Sequence, residues 1–97
     1  MSNDDKRSFE RIPNSDLPII FRSLLIDIGE HKNICAETVD VSTTGVGITL
    51  SLDPKILEEE NHIILHSSDQ RYKFRGQIVH VKKLSEELYR LGIVLNY

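Results

Sequence analysis

One cysteine, Cys35, is the only thiol in this 97-residue chain, so no internal disulfide can staple the fold, and a reducing compartment is the expectation. Apolar runs are short: none approaches the ~20 residues that cross a bilayer as a helix. Met1 to Arg7 is polar where a secretory signal is apolar, and no basic amphipathic helix offers itself to a membrane surface. These absences point to a cytoplasmic protein with no membrane partner. A basic excess is also missing. Twelve Lys and Arg against fifteen Asp and Glu leave a net charge of −3, whereas a protein that grips polynucleotide phosphates usually carries the opposite sign. Binding to a polynucleotide is therefore disfavoured. No nucleophile elbow, P-loop or dinucleotide fingerprint is present, so the chain does not read as an enzyme and calls for no cofactor. Internal repeats and low-complexity stretches are absent, and the length suits one domain that buries roughly 60–70% of its unfolded surface.

A hydrophobic share of 39% and a charged share of 28% argue for a globular chain over a disordered one. Its apolar residues mostly alternate, as half-buried strands require. Leu17 to Ile28 carries two apolar parities, which predicts a first strand that bends at a bulge near Arg22 and Ser23. Gly29 to Asn33 reads as a turn, Ile34 to Val41 as the second strand and Val46 to Leu50 as the third. Asp53-Pro54 supplies an N-cap and a first-turn proline for a short helix over Lys55 to Glu60. His62 to His66, Tyr72 to Val81 and Tyr89 to Tyr97 complete six strands, which suggests a closed antiparallel barrel without free edges. Tyr72, Phe74, Tyr89 and Tyr97 follow the strand period and are expected in the core, and Cys35 is expected to be buried.

Between the second and third strands lies Asp40-Val41-Ser42-Thr43-Thr44-Gly45. Strand alternation would send Asp40 and Ser42 to one face and Val39 and Val41 to the other. Gly45 stands where the chain turns back, and Gly47 lets the returning backbone pass close to a neighbour or a ligand. Upstream, Arg7-Ser8-Phe9-Glu10-Arg11 places two guanidinium groups four residues apart in a segment with little strand or helix signal. An arginine fork meets phosphate oxygens, or guanine O6 and N7, in pairs, and its flat cation stacks on bases. A carboxylate such as Asp40 accepts from guanine N1–H and N2–H₂, and the Ser42 hydroxyl gives or takes one bond. The plain alternative is that Asp40 and Ser42 only close their own turn.

Arg7 and Arg11 as R-x-x-x-R, followed by Asp40, Ser42 and Gly45 as D-x-S-x-x-G, resemble the PilZ domain family, receptors for the bacterial second messenger cyclic di-GMP. Leu91-Gly92-Ile93-Val94-Leu95 is similar to the glycine-containing last strand of that fold, so the resemblance covers nearly the whole chain. It implies an all-β fold: a six-stranded antiparallel PilZ-like split β-barrel over 17–97 with one short helix, preceded by a mobile ligand-binding arm over 1–16. It also implies that Arg7, Arg11, Asp40, Ser42 and Gly45 bind cyclic di-GMP; Lys6 is added for its place beside Arg7. Ligand binding would order the arm and signal to a downstream protein that is not identified. Many members of the family continue into a carboxy-terminal helix, which this sequence does not show, so what covers the barrel end is left open, a partner and a second copy both being able to do it. The alternative is a PilZ-like protein-interaction adaptor without nucleotide, and an oligonucleotide-binding barrel stands third.

The histidines invite a metal. His62 and His66, however, fall on a predicted strand, where residues four apart lie ~13 Å from each other and cannot share an ion at ~2 Å. No metal site is expected.

Overall fold

The computed structural model describes residues 11–96. Its strands are β1 (Ile12–Pro13), β2 (Ser23–Ile28), β3 (His31–Val41), β4 (Gly45–Ser51), β5 (His62–Ser67), β6 (Lys73–Lys83) and β7 (Leu88–Asn96), with one short helix, α1 (Pro54–Glu59), between β4 and β5. The sheet runs β1-β3-β2-β5-β6-β7-β4, and a further pairing of β3 with β4 closes it. β2 to β7 thus form a six-stranded barrel in which every pairing is antiparallel. Closure follows from β3, whose eleven residues are long enough to serve two neighbours on one edge. It pairs with β2 through residues 31–37 and with β1 through Asp40 and Val41, while β4 takes the other edge.

Alternation fills the interior. Leu24, Ile26 and Ile28 of β2 point inward, as do Val46, Ile48 and Leu50 of β4, Ile63 and Leu65 of β5, and Tyr89, Leu91 and Ile93 of β7. Burial of such side chains stabilises the fold by roughly 1.5–3 kcal/mol each. Two buried hydroxyls are satisfied locally. Thr38 Oγ1 donates to the Phe21 carbonyl at 2.6 Å, and Ser67 Oγ donates to Asp69 Oδ1 at 2.7 Å while accepting from the Tyr72 N–H. No helix among the described residues is long and apolar enough to cross a membrane.

Several local expectations need correction. The strand expected from Leu17 begins only at Ser23, as β2, because Pro18 opens a 3₁₀ turn over Ile19–Phe21, and the short β1 precedes it. The Arg22 guanidinium pins that turn by donating to the carbonyls of Leu17 at 2.8 Å and Ser15 at 3.1 Å. This turn, and not a bulge at Arg22, reconciles the two apolar parities, and it leaves Ile19 76% exposed. β3 starts at His31, earlier than expected. Asn33 sits at φ +57°, where the β2–β3 register slips between Ile26 and Ile28. Cys35 is exposed, since the inward parity of β3 belongs to Ala36 and Thr38. Tyr72 and Phe74 are exposed at 49% and 36%; they reach past the barrel end and pack on Phe21, with ring centroids 5.5 and 6.2 Å from it. Tyr89 is in the core as expected, and Tyr97 lies outside the described residues. The helix keeps its expected start: Asp53 accepts the Lys55 N–H at 3.0 Å, with Pro54 in the first turn.

Candidate ligand-binding cleft

Register brings the site together. Pro13 pairs with Asp40, Asp40 with Gly47, Gly47 with Gly92, and Gly92 with His80, one row across β1, β3, β4, β7 and β6. Two glycines in the middle of this row leave bare backbone between Asp40 on one side and His80 on the other. The next row of the same face pairs Thr49 with Arg90 and Arg90 with Lys82. The result is an open cleft of about 370 Å³, floored by Gly47 and Gly92 and lined by Arg11, Asp40, His80, Lys82 and Arg90.

Gly47 is required by a close approach. A β-carbon there would lie 2.7 Å from Asp40 Oδ1 and 3.7 Å from Arg11 Nη2, so the missing side chain is what lets the carboxylate lie across β4. Arg11 Nη2 stands 2.7 Å from Asp40 Oδ1, and Arg90 Nη2 stands 3.9 Å from Oδ2. The Asp40 side chain is only 19% exposed. Its Oδ1 is buried and, among the described residues, accepts no hydrogen bond of good geometry; the short contact to Arg11 is a charge pair with poor alignment. A desolvated carboxylate oxygen in this condition has unused acceptor capacity.

Ser42 behaves differently. It follows the end of β3, so strand parity no longer governs its direction, and it closes its own turn. Its Oγ accepts from the N–H groups of Gly45 at 3.2 Å and Thr44 at 3.4 Å, and its own N–H donates to the Gly45 carbonyl at 2.8 Å. Gly45 is pressed against β7, where an added β-carbon would stand 2.5 Å from the Ile93 carbonyl oxygen. Ser42 lines a separate, apolar cavity of about 220 Å³ at the barrel mouth, together with Phe21, Phe74 and Leu95. Arg11 and Asp40 therefore meet in the cleft, while Ser42 and Gly45 form the adjoining turn. Lys6 and Arg7 lie outside the described residues.

Sequence reading missed His80, Lys82 and Arg90. Arg90 shares the outward parity of Gly92, which was visible in β7 alone, but nothing local says that β6 and β7 stand beside β4 at this register. Two of the other histidines have carboxylate neighbours: His66 Nε2 lies 2.9 Å from Asp27 Oδ2, and His62 Nδ1 lies 3.2 Å from Glu60 Oε1.

Compared with models of known families, the chain matches the PilZ domain over residues 5–96. No curated protein and no solved structure matches it.

Proposed function

The chain belongs to the PilZ domain family, whose members are generally non-catalytic receptors and commonly bind cyclic di-GMP, and from this premise we propose that it is a cyclic di-GMP receptor. The observation that carries the reading is the Arg11–Asp40 pair at the edge of a glycine-floored cleft. Asp40 offers carboxylate acceptors to guanine N1–H and N2–H₂, while Arg11 offers a donor fork to O6 and N7 or to a phosphate. The open cleft of about 370 Å³ above the Gly47–Gly92 floor would take the ligand beside the Asp40 carboxylate. Ser42 and Gly45 serve by holding the turn that follows Asp40 in shape, and Lys6 and Arg7 add cations from the arm, taken as residues 1–16. Within the arm, Ile12–Pro13 already pair with β3 as β1, so a cost of about 1–2 kcal/mol per residue ordered on binding would fall on residues 1–10, and their closing over the ligand is a switch that only the bound dianion sustains. The ordered arm then presents a new surface to a downstream protein.

A second reading, an adaptor that binds protein and no nucleotide, draws on the half-exposed aromatic cluster of Phe21, Tyr72 and Phe74 at the barrel mouth. Calorimetric titration of the full chain with cyclic di-GMP separates the two. Saturable binding with one defined stoichiometry supports the receptor, and no heat and no amide shifts at millimolar ligand would leave the adaptor.

A further inference from the structure

Cations crowd the β6–β7 side of the cleft without a structural reason. Lys82 stands directly opposite Arg90 across the ladder, an arrangement in which like charges repel. Beyond Arg90 in the same row come Thr49 and only then Glu37, so no carboxylate on β4 separates them. Among the described residues the one acid lining the cleft is Asp40, whose Oδ1 is held by Arg11 and whose Oδ2 is 3.9 Å from Arg90. Arg11, Lys82 and Arg90 against Asp40 leave, among the described residues, an excess of two positive charges in the cleft, within a chain of net charge −3. Folding does not ask for this, since β6 and β7 are held from beneath by Ile78, Leu91 and Ile93. A dianion placed over Gly92 would relieve the repulsion.

We propose that Lys82 and Arg90 hold the phosphates of the ligand from the β6–β7 side, and that His80 beside them tightens binding when its ring is protonated. The proposal rests on the cyclic di-GMP reading. It divides the cleft: Arg11 and Asp40 meet a base at one edge, and Lys82, Arg90 and His80 meet the anionic ring at the other. His80 faces Gly92, whose absent side chain leaves its own β-carbon 3.0 Å from an ideal β-carbon position there. The charged groups around His80 are Lys82 on its own strand, Arg90 on β7, and Arg11 and Asp40 across the glycine floor. Phosphodiesters stay ionised near neutral pH, so a proton taken by His80 adds a cation beside Lys82 and Arg90 to an unchanged dianion. His31, His62 and His66 do not line the cleft, and one substitution isolates the effect.

The experiment is titration of the full chain with cyclic di-GMP at pH 7.5 and 6.0 and fixed salt, for wild type, Lys82→Ala, Arg90→Ala, His80→Gln and, as a control cation on α1, Lys55→Ala. Lys82→Ala and Arg90→Ala should each weaken binding about tenfold, with melting temperatures unchanged because both side chains are exposed. Wild-type affinity should be higher at pH 6.0 than at pH 7.5, and His80→Gln should abolish that difference. Lysine and arginine variants that bind like Lys55→Ala, or a His80→Gln variant that keeps the wild-type pH response, would overturn the proposal and leave the receptor reading standing. Wild type that binds no cyclic di-GMP at either pH would overturn both.

Discussion

Asp40 and Gly47 form a two-residue device in which a carboxylate is usable because its neighbour has no side chain. Gly47→Ala puts a methyl group 2.7 Å from Asp40 Oδ1, and the carboxylate, being the far end of a side chain, can swing aside. We therefore expect Gly47→Ala to lower cyclic di-GMP affinity by about tenfold or more with a melting temperature close to wild type. Gly45→Ala meets a backbone oxygen of β7 at 2.5 Å, which cannot swing, so it should lower the melting temperature first. Thermal melts run beside titrations check this pair, and equal stability losses in both would refute the distinction. Arg11→Ala removes a guanidinium that is 44% exposed. The expected loss in binding is about 1.5–3 kcal/mol, one to two decades in affinity, with stability almost unaltered. A variant that melts much lower yet binds as wild type would place Arg11 in the fold and not in the site.

Among the elements, the β2–β3 pair carries the clearest titratable anchor. The register slip at Ile28 swings Asn33 into φ +57°, and its N–H donates to Asp27 Oδ1 at 2.9 Å while His66 approaches Oδ2. Burial pushes the Asp27 carboxyl up, but the Asn33 N–H and the His66 imidazole outweigh it and hold the group below its ordinary value of 3.8. A folded-state pKa below the unfolded one means stability that is fully present above the unfolded value and lost as pH falls through the folded one. The urea midpoint of wild type should exceed that of Asp27→Asn at pH 6, and the gap should close below about pH 4. A gap that stays constant down to pH 3 would show that the anchor does not depend on the charge of Asp27.

If the molecule is the proposed cyclic di-GMP receptor, charge and base reading should make separate contributions. Cyclic di-GMP and cyclic di-AMP carry the same two phosphates, so Lys82, Arg90 and the arm cannot tell them apart. Discrimination must come from Asp40 and an arginine fork reading guanine, since adenine lacks the N2 amino group and places a donor where O6 was. Each mismatched bidentate contact is worth about 1–3 kcal/mol, so two together predict a preference on the order of a hundredfold. Parallel titrations at one salt concentration measure it, and comparable affinities would mean that Asp40 does not read the base.

Strand content and barrel closure were legible in the chain because alternation of Leu24, Ile26, Ile28 or Leu91, Ile93, Leu95 is a local, period-two signal, and the start of α1 was legible because Asp53 and Pro54 cap it locally. The motif residues Arg11 and Asp40 were legible as a resemblance. Errors arose where local pattern ran out: Ile19–Phe21 turned instead of extending, Cys35 took the outward parity, and Tyr72 and Phe74 overran the barrel end. The partners of Asp40 were beyond reach of any local rule. Gly47, Gly92 and His80 are its row only because three separate ladders fix their registers when the barrel closes, and a slip of one residue in any of them would turn that strand's side chains to the opposite face. Alternation in the sequence specifies most of the residues that face in, as in β4 and β7; turns, register shifts and closure of the barrel decide the rest and which outward residues face one another.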